Sequence, residues 1–243
     1  MRLVTFNIAT VDGRIAVSPS TPSMLDSRWR PLDWFEPVDV LSLHGARVSL
    51  QGSNSFAGRD APPAFEAEAR DRAPAGDHLP AWLRTHSGRW FVVIDSRARV
   101  RWTTTEADGT KLAVLLSRTT PAAYRLFLRE NDVPYFEAGE DRVDLSQALG
   151  RLGEVFQEGC VVSDAGGILN GAVLRAGLVD EIDLQFLPVV VGRADAPAIF
   201  EGYDLGTSST ISFRDLQLIS AESRPDGSTF IRYAVPGKPS SHP

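Results

Sequence analysis

The chain has 243 residues, of which 43% are hydrophobic and 23% charged. These fractions are typical of a globular domain and exclude a chain that is disordered throughout. The formal net charge of −6 repels polyphosphate backbones and anionic lipid surfaces, so we expect neither a nucleic-acid nor a membrane partner. No apolar stretch approaches the roughly 20 residues of a membrane span, and the first residues do not resemble an export signal.

The chain contains a single cysteine, Cys160. An internal disulfide bond and a cysteine-rich zinc site are therefore excluded, and we expect no metal. A reducing, cytoplasmic compartment fits this composition best. Cys160 lies in an apolar run and is expected to be a core residue rather than a nucleophile. For His44 we favour a packing or solvent role over a place in a binding cleft.

The first part of the chain contains three runs that are rich in β-formers and end at turn residues. The predicted strands are residues 3–9, 38–43 and 89–94. Residues 52–88 hold many glycines, prolines, serines and charges with little periodicity. We interpret them as a surface insertion with one helix over residues 64–72.

Strands and helices alternate from residue 111 onward. The predicted strands are residues 112–116, 133–137, 159–163 and 182–187, and the predicted helices are residues 121–131, one opened by a capping box of Asp144 and Gln147, and one between Gly166 and Gly177. Residues 211–221 and 228–235 flank an Arg-Pro-Asp-Gly turn and predict a closing antiparallel hairpin. This order predicts a single α/β domain over residues 1–237, with a mixed sheet, helices on both faces and a short tail over residues 238–243.

Small and polar residues follow several of the strands, where ligands bind in open α/β sheets. Gly166-Gly167 precedes a helix, so bare backbone can approach a pyrophosphate, and we expect Gly166 to adopt a positive φ. Gly45 is predicted to act in the same way at a second strand-to-helix junction. Ser117 and Arg118 suit a phosphate monoester such as the 2′-phosphate of NADP. Plain turns for the glycines and a solvated loop for Arg118 remain as alternatives.

The order of three motifs is similar to the reductase domain of riboflavin biosynthesis. The motifs are Val11–Ala16, Val161–Gly167 and Gly177–Ile182, the last followed by Pro188 and Gly192. The resemblance implies a dihydrofolate-reductase-like fold and NADPH as cofactor. It also implies a small-molecule substrate, a phosphoribosylamino-pyrimidine whose ribosyl group is reduced to a ribityl chain.

The resemblance also assigns roles to residues of this chain. Asp12 is implied as the catalytic residue, and Asp12, Arg14 and Asp164 as substrate contacts. The implied cofactor contacts are Ala16, Gly45, Arg47, Ser49, Ser117, Arg118, Gly166, Gly167, Ile168 and Leu169.

Three departures from the family pattern leave a second interpretation open. Ala165 stands where these reductases usually have a glutamate, Val48 stands where a threonine is frequent, and residues 3–9 contain no lysine. The alternative is a binding or regulatory protein that keeps the nucleotide pocket without turnover.

The apolar run over residues 182–191 lacks a polar break after its first half. A run of this kind needs cover on both sides, either from the domain's own helices or from a second copy of the chain. Because the family commonly pairs in this way, the resemblance favours a homodimer through this segment.

Overall fold

The computed structural model describes residues 1–21, 28, 35–65, 76–202 and 215–237. The described residues form one ten-stranded sheet with helices packed against it. The strands are β1 (Arg2–Thr10), β2 (Val48–Gly52), β3 (Trp90–Ile94), β4 (Glu106–Ala107), β5 (Thr110–Leu116), β6 (Tyr135–Glu137), β7 (Cys160–Ser163), β8 (Glu181–Leu187), β9 (Gln217–Ser223) and β10 (Thr229–Ala234). The helices are α1 (Val40–His44), α2 (Asn54–Ala57), α3 (Ala122–Glu130), α4 (Leu145–Phe156) and α5 (Gly167–Arg175), and a 3-10 helix covers Ala81–Thr85.

The strand order is β4-β5-β3-β2-β7-β1-β8-β10-β9, with β6 beside β5. Strands β1, β2, β3, β5, β6, β7 and β8 run parallel, whereas β4, β9 and β10 pair antiparallel with their neighbours. The chain builds outward from β2 to β6 and then returns, because β7 inserts between β1 and β2. Such a reversal opens a crevice at the carboxyl ends of the parallel strands.

Helices cover both faces of the central sheet. Leu3 of β1 packs in the cluster that contains Leu152 of α4, whereas the next residue, Val4, packs with Val40 of α1. The same alternation occurs in β5, where Leu115 faces the α4 side and the residues on either side of it pack against α3. This arrangement confirms the predicted mixed α/β sheet with helices on both faces.

Local signals placed most elements correctly. The Asp144 carboxylate accepts a hydrogen bond from the backbone N–H of Gln147 at 2.9 Å and begins α4. In the closing hairpin, Arg224 N donates to Ser228 O at 2.9 Å, and Gly227 adopts a φ of 81°. The predicted N-cap at Asp144 and the hairpin turn are both confirmed, but the second half of the capping box is not formed, because Asp144 N donates to Ala138 O and not to the Gln147 side chain.

The predicted strand over residues 38–43 is wrong. These residues belong to α1 and the segment before it, because the Asp39 carboxylate accepts from Ser42 N at 3.2 Å and caps the helix. Gly45 ends the helix with a φ of 62°, a left-handed conformation that glycine adopts without strain. The buried strand is Val48–Gly52 instead. Gly45 therefore lies at a helix-to-strand junction.

Some predicted features lie outside the described residues. These are residues 66–72 of the predicted helix, the start of the predicted hairpin at 211–214 and the tail over 238–243. Within the described ranges, no helix is long and apolar enough to cross a membrane.

Candidate functional site

A cavity of about 720 Å³ lies at the carboxyl ends of the parallel strands, next to the reversal at β7. Its walls come from the loop after β1, the ends of β2 and β3, α2 and the residues after it, the segment before α4, the first turn of α5 and the segment after β8. Its lining residues include Ile15, Ala16, Gly52, Arg59, Ser96, Arg97, Arg142, Gly166, Gly167, Ile168, Leu169 and Glu201.

The first turn of α5 faces this cavity. Gly166 is the residue before the helix, so the N–H groups of Gly167 and Ile168 have no carbonyl within the helix to bind, whereas that of Leu169 donates to Gly166 O at 3.1 Å. These groups and the helix dipole favour an anion at this position. Gly166 has a φ of −68°, so the expected positive φ is wrong.

Close packing explains the second glycine of the pair. A Cβ atom at Gly167 would overlap the carbonyl oxygen of Ala198, and one at Gly171 would overlap that of Glu201. At Gly166, a Cβ would lie 3.9 Å from Ile15 Cδ1, an ordinary contact. The glycines of α5 therefore let the segment after β8 lie directly on the helix.

A buried polar network fixes the turn from β7 into α5. Asn170 Nδ2 donates to Asn7 Oδ1 at 2.7 Å and to the carbonyl of Ala165 at 3.0 Å. Ser163 Oγ donates to Asn170 Oδ1 at 2.8 Å, and Asn7 Nδ2 also donates to Ala165 O, at 2.9 Å. Because buried polar groups are costly when unpaired, this network holds the start of α5 in one position relative to β1.

Three arginines and two carboxylates line the cavity. Arg59 forms an ion pair with Glu201. In the part of the chain that the structure describes, no hydrogen bond or ion pair involves the guanidinium of Arg97 or Arg142. Both of these side chains are exposed. In a chain of net charge −6, two unpaired guanidinium groups beside a helix N-terminus make the cavity a place for an anionic ligand.

Asp95 holds the turn that carries Ser96 and Arg97. Its buried carboxylate accepts from the backbone N–H of Arg99 at 2.9 Å and of Val100 at 3.0 Å, and from the Tyr124 hydroxyl at 2.9 Å. Burial raises the pKa of this carboxyl group above its ordinary value, and these donors oppose the rise.

Five of the residues predicted to contact cofactor line the cavity, namely Ala16, Gly166, Gly167, Ile168 and Leu169. The structure does not bring the others there. Gly45 and Arg47 precede β2 and lie at the opposite, amino edge of the sheet, where Arg47 Nε donates to Glu158 Oε1 at 2.6 Å. Ser49 is buried within β2.

Ser117 and Arg118 follow β5, which lies one strand beyond β3. Ser117 is fully buried, and Arg118 pairs with Glu140 at 3.3 Å on the surface. Ser96 and Arg97 repeat the same Ser-Arg pattern after β3 and do line the cavity. The sequence predicted the strand over residues 89–94 but did not identify Arg97 as a site residue, although the same Ser-Arg pattern follows that strand.

Asp12 holds a loop together instead of facing the cavity. Its carboxylate accepts from the Thr10 hydroxyl at 2.5 Å and from the backbone N–H groups of Gly192 at 2.9 Å and Val191 at 3.2 Å. These hydrogen bonds, with that from Thr10 the strongest, lower the pKa of Asp12 to about 2. Asp12 is thus an anion near neutral pH. Arg14 also joins the loop after β1 to the segment after β8, because its guanidinium donates to Ala196 O at 2.8 Å.

Asp164 follows β7 directly, beside Gln51 of β2. It is not among the residues that line the cavity, whereas Gly166, two positions later, is. Solvent reaches the side chain, yet protein surrounds it on most sides, and this desolvation raises its pKa to about 7. A hydrogen bond from Gln51 opposes the rise. Asp164 is therefore a carboxyl group that can hold or release a proton near neutral pH.

At the amino edge of the sheet, the ligating atoms of His44, Glu181 and Asp183 lie within 4.8 Å of one another. His44 Nε2 lies 2.8 Å from Asp183 Oδ2, and Arg2 Nη2 lies 2.7 Å from His44 Nδ1. Since arginine can only donate, Nδ1 accepts and Nε2 carries the proton. Arg232 donates to Glu181 at 2.6 Å. In this cluster Arg232 and Glu181 form an ion pair and hydrogen bonds hold His44, and none of these residues lines the cavity.

The sheet order and the arginine-lined crevice together define an open α/β domain with its cavity at the topological switch point of the sheet. More specifically, the chain belongs to the RibD C-terminal domain family, whose model matches residues 2–230. The resemblance to the reductase domain of riboflavin biosynthesis is confirmed.

Several relatives are known by name. A 2,5-diamino-6-ribosylamino-4(3H)-pyrimidinone 5′-phosphate reductase from Archaeoglobus fulgidus is 34% identical over 138 residues, which cover 56% of this chain and 58% of the relative. The RibD structure from Acinetobacter baumannii is 19% identical with a TM-score of 0.61, over 96% of this chain and 57% of RibD. A pyrimidine reductase-like protein from Corynebacterium diphtheriae is 16% identical with a TM-score of 0.63, over 96% and 91%. The matches to the first two thus span little more than half of those relatives, and the two structures share the fold of this chain.

We predict that Gly167→Ala destabilises the protein by about 1–3 kcal/mol, because the new methyl group overlaps the backbone of Ala198. Gly166→Ala is the matched control and should change the free energy of unfolding by less than about 0.5 kcal/mol. Urea unfolding of both variants measures the difference. Equal stability of the two variants would show that the segment after β8 can move away from α5.

We predict that Asp164→Asn stabilises the protein at pH 8 more than at pH 4. The folded-state pKa of about 7 exceeds the ordinary value of 3.8, so the unfolded chain releases this proton first. Stability is therefore lost as the pH rises from about 4 to about 7, and the asparagine variant escapes this loss. Urea unfolding at pH 4, 6 and 8 measures the effect. A stability difference that is the same at all three values would contradict the raised pKa.

Proposed function

We propose that this chain is an NADPH-dependent reductase that acts on a phosphoribosylamino-pyrimidine. The observation that carries this proposal is the crevice of a RibD C-terminal domain chain. One cavity there is lined by a helix N-terminus and by Arg97 and Arg142, which have no ion-pair partner among the described residues. The Archaeoglobus fulgidus relative, a pyrimidinone phosphate reductase by name, supports the substrate class.

The residues that line the cavity fit an anionic dinucleotide. The backbone N–H groups at the start of α5 would hold the pyrophosphate, next to Gly166 and Gly167. Ser96 and Arg97 would hold the 2′-phosphate with a hydroxyl and a guanidinium, and Arg142 adds a second cation. Ala16 would line the nicotinamide end. NADPH supplies a hydride when it is bound, and the protein supplies position and charge.

We propose Asp164 as the residue that donates a proton to the substrate. Hydride addition to a carbon–nitrogen or carbon–oxygen double bond must be accompanied by a proton. Its pKa of about 7 allows Asp164 to donate this proton near neutral pH, whereas the pKa of Asp12, about 2, does not. Asp164 would in this way take the place of the family's glutamate, which is Ala165 in this chain.

The direct test is the oxidation of NADPH, followed by absorbance, with a phosphoribosylamino-pyrimidine as substrate. We expect turnover that falls when Asp164→Asn is introduced while the dissociation constant for NADPH stays the same. Tight NADPH binding without any oxidation would instead support the alternative of a binding or regulatory protein.

We predict that Arg97→Ala weakens NADPH binding by about tenfold or more and NADH binding by less than about twofold. Charge-assisted hydrogen bonds to a phosphate contribute about 1.5–3 kcal/mol, and only NADPH carries the 2′-phosphate. Isothermal titration with both cofactors measures the change. The matched control is Arg118→Ala, another exposed arginine after a parallel strand. If Arg118→Ala weakens NADPH and Arg97→Ala does not, the assignment made from the sequence is the right one.

We also propose that the protein forms a homodimer, through β9 rather than through residues 182–191. Strand β8 lies inside the sheet between β1 and β10, with Ile182 and Leu187 buried and Leu184 and Phe186 half-buried. Strand β9 is at the edge and exposes Leu218 and Ile219, next to the exposed Leu216. An exposed apolar sheet edge is a common site of association.

Light scattering at micromolar concentration should therefore give the mass of a dimer, and the double variant Leu218→Lys with Ile219→Lys should give that of a monomer. Val190→Lys is the matched control, because Val190 is 69% exposed and lies outside β9. A monomer mass for the unmodified protein would contradict the proposal. If only Val190→Lys dissociates the dimer, the interface lies at residues 182–191, as predicted from the sequence.

A further inference from the structure

The ion pair between Arg59 and Glu201 joins two segments that both line the cavity. Arg59 follows α2 and Glu201 follows β8. Arg59 thus differs from Arg97 and Arg142, which have no such partner among the described residues. A cavity that attracts anions holds a third cation whose charge is neutralised by a carboxylate of the protein itself.

The backbone of each partner is anchored independently of the pair. Glu201 N donates to Gly167 O at 2.9 Å, and Arg175 Nη1 donates to Glu201 O at 3.1 Å. On the other side, the buried guanidinium of Arg99 donates to the carbonyl of Arg59 at 3.1 Å and to that of Gly58. Breaking the ion pair therefore need not move either segment.

The side chain of Arg59 is free to change partner. It is 38% exposed, whereas that of Glu201 is 19% exposed. Glu201 Oε1 has a second donor, the backbone N–H of Ala198 at 3.3 Å, so its carboxylate keeps a hydrogen bond when Arg59 leaves. Glu201 also lies against Gly167, at the end of α5 where the helix dipole stabilises a negative charge.

We propose that Arg59 is an anion-binding residue of the cavity and that Glu201 is its exchangeable counter-ion. When a ligand phosphate enters, Arg59 leaves Glu201 and binds the phosphate. Glu201 thereby weakens the binding of every anion that contacts Arg59, and a ligand must offer further contacts to bind well. This inference rests on the proposed function only in that the ligand carries a phosphate, either the pyrophosphate of the cofactor or the phosphomonoester of the substrate.

The test uses the full chain and isothermal titration at constant ionic strength, with inorganic pyrophosphate as probe. Glu201→Gln keeps an oxygen for the N–H of Ala198 but removes the charge, and it should tighten pyrophosphate binding about two- to fivefold. Arg59→Met should weaken it about tenfold. In the Arg59→Met background, Glu201→Gln should have no effect, because its effect acts through Arg59.

A matched control separates this exchange from a change in net charge. Glu140→Gln removes the same charge from another Arg–Glu pair, Arg118–Glu140, which does not line the cavity. It should leave pyrophosphate binding unchanged. The proposal is overturned if Glu140→Gln tightens binding as much as Glu201→Gln does, or if Glu201→Gln tightens it equally with and without Arg59.

Two further titrations identify the source of the phosphate. If Arg59 serves the cofactor, Arg59→Met weakens NADPH. If it serves the substrate, Arg59→Met leaves NADPH unchanged and weakens ribose 5-phosphate in the NADPH-loaded protein. If Arg59→Met weakens the binding of neither NADPH nor ribose 5-phosphate, the proposal is overturned. Since none of these measurements requires turnover, a chain that binds pyrophosphate through Arg59 but oxidises no NADPH would contradict the reductase and leave the exchange intact.

Discussion

The close contact between α5 and the segment after β8 is the constraint on which the site depends. Gly167 and Gly171 leave room for the backbone at Ala198 and Glu201, and no larger side chain fits there. The same segment receives a hydrogen bond from Ile15 N to Pro197 O at 2.9 Å, which draws the loop after β1 toward the helix. Two loops and a helix N-terminus thus meet in one crevice because Gly167 and Gly171 have no side chain to keep them apart.

The crevice concentrates positive charge although the chain as a whole is negatively charged. The protein is acidic, with a net charge of −6, yet Arg97 and Arg142, which have no ion-pair partner in the described part of the chain, line one cavity together with the N-terminus of α5. Elsewhere the described arginines largely have partners, as Arg232 has Glu181 and Arg47 has Glu158. Because ion pairs largely neutralise the arginines elsewhere, the crevice is the place where the protein attracts an anionic ligand.

The sequence predicted the type of most elements and one wall of the site, because both follow from local signals. The Gly166-Gly167 pair and the N-cap of α4 are of this kind. The Ser-Arg pattern was recognised after β5 but lies in the cavity after β3, since strand order is not visible in a local pattern. No local pattern in the sequence identifies Arg59 and Glu201 as a pair, because only the tertiary fold brings them together.

The wrong prediction of a strand at α1 had a local cause. Asp39 and Gly45 cap this helix, but the apolar residues between them form a run that is typical of a strand.

The position of β1 has a consequence for the order in which the protein assembles. This strand pairs with β7 and β8, so that Arg2 lies beside Cys160 and Thr10 beside Leu187. During synthesis β1 therefore has no neighbour in the sheet until β7 (Cys160–Ser163) has been made. Contacts so distant in sequence slow folding, and the unpaired strand edge exposes the nascent chain to aggregation in the meantime. Strand β1 is thus one of the last strands of this sheet to be secured, and a chain truncated before β7 leaves it without a neighbour.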